Sequence, residues 1–215
     1  MKIKAVIFDF DGTIAATNQL IIDSWQHTYL SRLGRKGNEK DIIESFGEPL
    51  EITMAKVFPQ FDLDETLKIY REFQYKYFKG EVEAFPGMVE LIKRLKNEGY
   101  KIAVVTSRKG KTTHEGLDKF GVLKDMEVVV TCDDTDIHKP NPEPILLALE
   151  RLNVEPSSAI MVGDSIFDTE CAKNAGVKSI LVDWSVAGQN ADNSLAADFL
   201  AKTADEIQDI IEGIE

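Results

Sequence analysis

Asp9 and Asp11, in the stretch AVIFDFDGT, stand one residue apart at the end of an apolar run. Two carboxylates that close repel each other unless a proton or a cation separates them. VVTSR adds the hydroxyls of Thr106 and Ser107, HKPNPEP adds the ammonium of Lys139, and GDSIFD adds Asp164 and Asp168. Hard oxygen ligands with open positions suit Mg²⁺ bound partly through water and phosphate. A lysine supplies the fixed positive charge that a transferring phosphoryl group requires. Thr106 offers a hydroxyl and Ser107 an amide near a helix N-terminus, both suited to phosphate oxygens. The chemistry within reach of this set is phosphoryl transfer.

For that chemistry the groups must meet in space. Val6–Phe8, Ile102–Val105, Val128–Val130, Ala159–Val162 and Ser179–Val182 are short apolar runs that read as strands buried on both faces. Gly87–Glu98, Gly110–Phe120, Pro142–Leu152 and Ile166–Asn174 carry helical spacing between them. The alternation predicts an α/β fold, a Rossmann-like doubly wound parallel sheet. Ligands of such sheets sit beyond the carboxyl ends of the strands. Asp9 and Asp11 follow the first strand and Thr106 and Ser107 the second. Lys139 lies on a loop past the third; Asp164 follows the fourth, with Asp168 a helical turn on. From about Thr17 to Gly80 no strand is readable, only amphipathic helix pattern. That stretch reads as a helical insertion after the first strand, with hinges near Ala15–Thr17 and Glu81–Phe85.

Bulk properties narrow the function. A net charge of −12 and the lack of a basic cluster exclude a nucleic-acid surface. A hydrophobic fraction of 43% is enough for a packed core. No apolar run approaches the ~20 residues of a membrane span, and the N-terminus reads as no signal peptide, so the expectation is a cytoplasmic protein away from membranes. Cys132 and Cys171 read as reduced thiols, and no Cys/His spacing suggests zinc. The D-x-D pair fails as a calcium loop because Thr13 stands where an acid is needed. Gly110-Lys111-Thr112 fails as a phosphate loop because Val105 stands where glycine is needed.

FDFDGT, VVTSR, HKPNPEP and GDSIFD, in that order, resemble the four motifs of the haloacid-dehalogenase-like (HAD) hydrolase superfamily. TNQLIIDSWQHT, FGEPL, the segment from KPNPEP to GDSIFD, and DWSVAG are similar to its phosphoglycolate phosphatase and PpaX-type pyrophosphatase branch. The resemblance implies a core domain over 1–15 and 84–215 and a small helical cap domain over 16–83. It implies a Mg²⁺-dependent phosphohydrolase acting on a small phosphorylated metabolite or pyrophosphate, as monomer or homodimer. Asp9 would take the phosphoryl group as an aspartyl phosphate, and Asp11 would protonate the leaving oxygen and then activate water. Thr106, Ser107 and Lys139 would bind the phosphoryl group. Asp9, Asp164 and the Asp11 main-chain carbonyl would ligate the metal, with Asp168 supporting its shell directly or through water. One position departs from the branch: Ala16 replaces the usual acid at the entry to the cap, where Thr17 or Asn18 is expected to cap the first helix. A β-phosphoglucomutase-like mutase and a silent binding protein of the same fold are the alternatives. The mutase is disfavoured by Glu48 in FGEPL, where a basic loop would be expected.

Overall fold

The computed structural model describes residues 2–189 and 197–214. Six strands form one sheet: β1 (Ala5–Phe8), β2 (Lys101–Val105), β3 (Val128–Val130), β4 (Ala159–Gly163), β5 (Lys178–Val182) and β6 (Phe199–Ala201). All neighbours run parallel, in the order β3-β2-β1-β4-β5-β6. The order reverses beside β1, which lies between β2 and β4, so the crevice outside its carboxyl end is the place for a ligand. Phe8 is level with both Val104 and Val162. Asp9 therefore leaves the sheet level with Val105 and Gly163, the last residues of β2 and β4, one residue short of Thr106 and Asp164.

Alternation along the strands divides the core into two layers. Val6, Phe8, Ile102, Val104, Ile160 and Val162 face α5 (Met88–Asn97) and α9 (Ala204–Gly213), with Leu91, Leu95 and Ile207 fully buried against them. Ala5, Ile7, Ala103, Val105 and Met161 face α7 (Glu143–Leu152) and α8 (Ile166–Ala175). Burying one large aliphatic side chain contributes about 1.5–3 kcal/mol. Leu91→Ala, with no exposed surface to relax into, would cost about 2–5 kcal/mol.

Between β1 and β2 lie α1 (Asn18–Leu33), α2 (Glu39–Glu44), α3 (Leu50–Val57) and α4 (Leu63–Glu81). They close over an apolar cluster of their own in which Trp25, Met54, Phe58 and Tyr70 are buried. Gly34, at φ 67°, ends α1 in the left-handed conformation that glycine adopts without strain. Asp62 starts α4 by accepting from the Glu65 amide at 2.9 Å. The two chain crossings into this insertion run side by side. The Ala16 amide donates to the Glu83 carbonyl, and the Phe85 amide donates to the Ile14 carbonyl, each at 2.9 Å.

Two features differ from the sequence reading. β6 and α9 extend the sheet beyond the last strand read from the sequence; β6 is three residues long and half exposed, too little for a periodic signal. Neither Thr17 nor Asn18 caps α1. Thr17 Oγ1 turns back to the Ala15 carbonyl at 3.4 Å, and the Asn18 side chain reaches across to Ser185. Among the described residues no helix is long and apolar enough to cross a membrane.

Candidate active site

A cavity of about 370 Å³ lies between the carboxyl ends of the strands and the four inserted helices. Asp9, Asp11, Thr106, Ser107, Lys139 and Asp164 line its floor; Trp25, Phe46, Glu48, Tyr70 and Arg71 line its roof. Asp168 sits beneath the floor, 1% exposed. Lys139 joins the two levels. Its ammonium donates to Asp9 Oδ1 at 2.9 Å and to Asp168 Oδ1 at 2.5 Å, and reaches the Val105 carbonyl at 3.4 Å. The other oxygen of Asp168 accepts from the Ser165 amide at 3.1 Å and the Ser165 hydroxyl at 2.6 Å, closing a capping box at the start of α8. Asp168 is thus a helix cap and a lysine anchor at once.

Backbone geometry brings the acids this close. Gly12 turns with φ +77°, and a Cβ there would lie 1.9 Å from Asp164 Oδ2. Gly163 has no side chain where a Cβ would meet Asp168 Cβ at 2.3 Å. Either residue with a side chain would drive the carboxylates apart.

Asp9, Asp164 and Asp168 each offer an oxygen within 4.8 Å of the others, and all three are buried. Lys139 is the cation bonded to this group. Burial pushes the Asp9 carboxyl up to about 7, against the pull of Lys139 and with the Asp168 charge adding to the rise. Burial also lifts Asp164 well above the ordinary carboxylate range, reinforced by Asp168 and Asp9. Burial alone would lower Lys139, but Asp168 and Asp9 outweigh it and keep the ammonium charged. Three acids against one lysine leave the group short of positive charge. Oxygen donors with that deficit fit a hard divalent cation.

Arg108, which the motif reading passed over, completes the floor. Its side chain is 6% exposed and donates from Nη1 to Asp11 Oδ1 at 3.1 Å. The guanidinium lies 4.7 Å from the Phe78 ring centroid and 5.6 Å from that of Phe10. Its one sequence signal was adjacency to Thr106 and Ser107, since no spacing rule links it to Asp11. Thr106 Oγ1 accepts from the Arg108 amide at 3.2 Å, and Ser107 Oγ donates to the Gly47 carbonyl in the roof at 3.0 Å. The start of α6 (Gly110–Lys119) lies three residues past Ser107, and its first amide is taken by Asp133 Oδ2 at 2.8 Å. Within the Thr106–Arg108 turn the Thr106 amide donates to the Val130 carbonyl at 3.0 Å, so of the three amides that of Ser107 is the one for which no bond is shown among the described residues.

Residues 6–182 match the family described as haloacid dehalogenase-like hydrolase. The chain belongs to the haloacid dehalogenase-like hydrolases. A relative from Caldanaerobacter subterraneus subsp. tengcongensis, provisionally called pyrophosphatase PpaX, is 44% identical over 86% of this chain and 84% of its own. Pyrophosphatase PpaX of Halalkalibacterium halodurans is 35% identical over 98% of each chain. Among solved structures, a Lactobacillus plantarum protein provisionally described as a phosphoglycolate phosphatase superposes with a TM-score of 0.84. It is 24% identical over 98% of this chain and all of its own, so it speaks for the fold alone. Membership of the hydrolase family and the buried acid cluster together suggest a divalent metal.

Proposed function

We propose that this haloacid dehalogenase-like hydrolase is a Mg²⁺-dependent phosphohydrolase that cleaves pyrophosphate or a similarly small phosphate ester through an aspartyl phosphate. The observation that carries the reading is the buried Asp9 carboxylate, held 2.9 Å from Lys139 on the floor of the cavity under the inserted helices. A carboxylate needs no separate base to act as nucleophile once it is ionised. A cavity of about 370 Å³ is at the small end of ligand sites, which suits a substrate of pyrophosphate size.

An Asp9 oxygen bonds to phosphorus as the bond to the leaving oxygen breaks, and Asp11 gives that oxygen its proton. Asp11 then takes a proton from water as the water oxygen bonds to phosphorus and Asp9 is released. With pyrophosphate both products are inorganic phosphate. Lys139 balances the charge on the phosphoryl oxygens, and Thr106 and Ser107 orient them. Arg108 holds the Asp11 carboxylate at the cavity wall, within the turn that carries Thr106. Asp9, Asp164 and the Asp11 main-chain carbonyl would hold Mg²⁺, with Asp168 supporting them directly or through water. The ion supplies neutralising charge and a template for the phosphate oxygens.

Residues 16–83 act as the cap over a core of 1–15 and 84–215, admitting substrate by opening and excluding water when closed. Two facts support this: the paired backbone crossings at Ala16 and Phe85, and the roof residues donated by the insertion. Glu48 in that roof, bonded to Thr53 and Lys56, opposes a second sugar-phosphate charge and weighs against a mutase. Phosphate release from pyrophosphate, phosphoglycolate, sugar phosphates and nucleotides, with and without Mg²⁺, tests the proposal. Turnover of pyrophosphate that disappears with EDTA is expected; no release from any of them with Mg²⁺ present would overturn it.

A further inference from the structure

The loop after β5 carries a serine that the reaction above does not use. Ser185 is fully buried. Its hydroxyl donates to Asp164 Oδ2. It accepts from Asn18 Nδ2 at 2.7 Å and from the Ala187 amide at 3.3 Å. A serine hydroxyl has one proton and two lone pairs. Both lone pairs here face N–H donors, so the proton is directed to the Asp164 carboxylate. The bond assignment is complete in one orientation only.

The chain of bonds also crosses between the two parts of the molecule. Asn18 is the first residue of α1 in the insertion, whereas Ser185 and Asp164 sit on loops of the sheet. Asn18 Oδ1 is buried and has no hydrogen-bond partner. It borders the same niche above Gly12 as Asp164: a Cβ at Gly12 would stand 3.1 Å from Asn18 Oδ1 and 1.9 Å from Asp164 Oδ2. The missing side chain at Gly12 thus leaves room for both oxygens beside the turn that follows Asp11.

We infer that Ser185 and Asn18 are positioning residues for Asp164. They orient its carboxylate for the cation and tie the first cap helix to the cation site. The inference rests on the reading of Asp164 as a Mg²⁺ ligand. Carboxylate ligands are commonly oriented by such outer hydrogen bonds, whose loss costs metal affinity directly. Asn18 acts one bond further out, by filling the lone pair that would otherwise let the serine hydroxyl turn. Among the described residues, this strut links the side chain at the start of α1 to the acid cluster.

The test is Mg²⁺ binding to the whole protein by isothermal titration calorimetry, with thermal unfolding of each metal-free variant alongside. Ser185→Ala is expected to weaken Mg²⁺ by about tenfold or more. Asn18→Ala should weaken it by a smaller factor in the same direction. The Mg²⁺ concentration for half-maximal phosphate release should rise by matching factors. A folded Ser185→Ala protein that binds Mg²⁺ as tightly as the parent overturns the inference. Should that variant fail to fold, an unchanged affinity in Asn18→Ala overturns it instead. A parent protein that binds no Mg²⁺ overturns the cation reading itself, and the positioning role with it. A parent that binds Mg²⁺ but releases no phosphate overturns only the proposed reaction, and the affinity comparison still stands.

Discussion

The floor and the roof of the cavity are built on opposite principles. On the floor, charges are buried and matched by bonds from distant strand ends, as Lys139 is to Asp9 and Asp168. In the roof, the buried material is aromatic, with Trp25 packed against Phe58 and Tyr70, and each charged pair keeps at least one member partly exposed. Lys56 bridges Glu48 with its side chain 63% exposed, and Arg71 bridges Glu51 at 40%. Buried pairs are costly to break, whereas exposed pairs contribute little. The contrast fits the proposal that the sheet carries the reaction and the insertion the choice of substrate, since breaking a buried floor pair costs far more than breaking an exposed roof pair.

The largest effect expected is on the floor. Asp9→Asn should lower phosphate release by about 10³-fold or more, because the amide cannot replace the carboxylate proposed to take the phosphoryl group. A steady-state phosphate assay on the purified variant checks this, and retained turnover would remove the floor's claim to the chemistry. Next is Lys139→Ala, which leaves Asp9 and Asp168 buried without their cation. Loss of one partner of a buried pair costs about 3–5 kcal/mol. Denaturant unfolding should show that loss in metal-free protein, with part of it recovered by Mg²⁺.

A third, smaller effect is pH-dependent. Burial lifts Asp9 from 3.8 to about 7 when no cation is bound. Between those values the folded protein keeps a proton that the unfolded chain has lost, so metal-free stability falls as pH rises from about 4 to about 7. Mg²⁺ must displace that proton, so its affinity rises with pH over the same interval, and the raised Asp164 carboxyl adds to the dependence in the same direction. Calorimetry in buffers of different ionisation enthalpy should detect proton release on Mg²⁺ binding at about pH 6. The smallest effect belongs to the roof. Glu48→Gln should lower KM for anionic substrates by a few fold, as one negative charge is removed from the cavity lining and Lys56 is left without its partner, and leave Mg²⁺ affinity as it was. A changed Mg²⁺ affinity would mean that roof and floor are not separate in function.

Much of the floor was open to reading from the chain alone. Parallel strands end on one side of a sheet, so acids, hydroxyls and a lysine placed after successive apolar runs are carried to one edge. The register of β1 with β2 and β4 brings that about here. The inserted helices were readable as helices, from the spacing of their apolar residues, but not as a roof. Which of their faces met the cavity depended on how α1 and α4 packed around Trp25 and Tyr70. Thr17 shows the limit at short range: it has a capping residue's chemistry, yet it bonds back to Ala15 because the tight crossing into the insertion places that carbonyl nearer.

From sequence alone came the order of elements, the parallel sheet and the identity of the charged groups at its edge, because periodicity and strand-end position are local properties. Tertiary structure alone decided that Arg108 would bond Asp11, 97 residues away, and that Asn18 would reach Ser185 across 167. Such bonds form because a polar atom buried by packing must find a partner wherever the fold brings one, and no local pattern records where that will be.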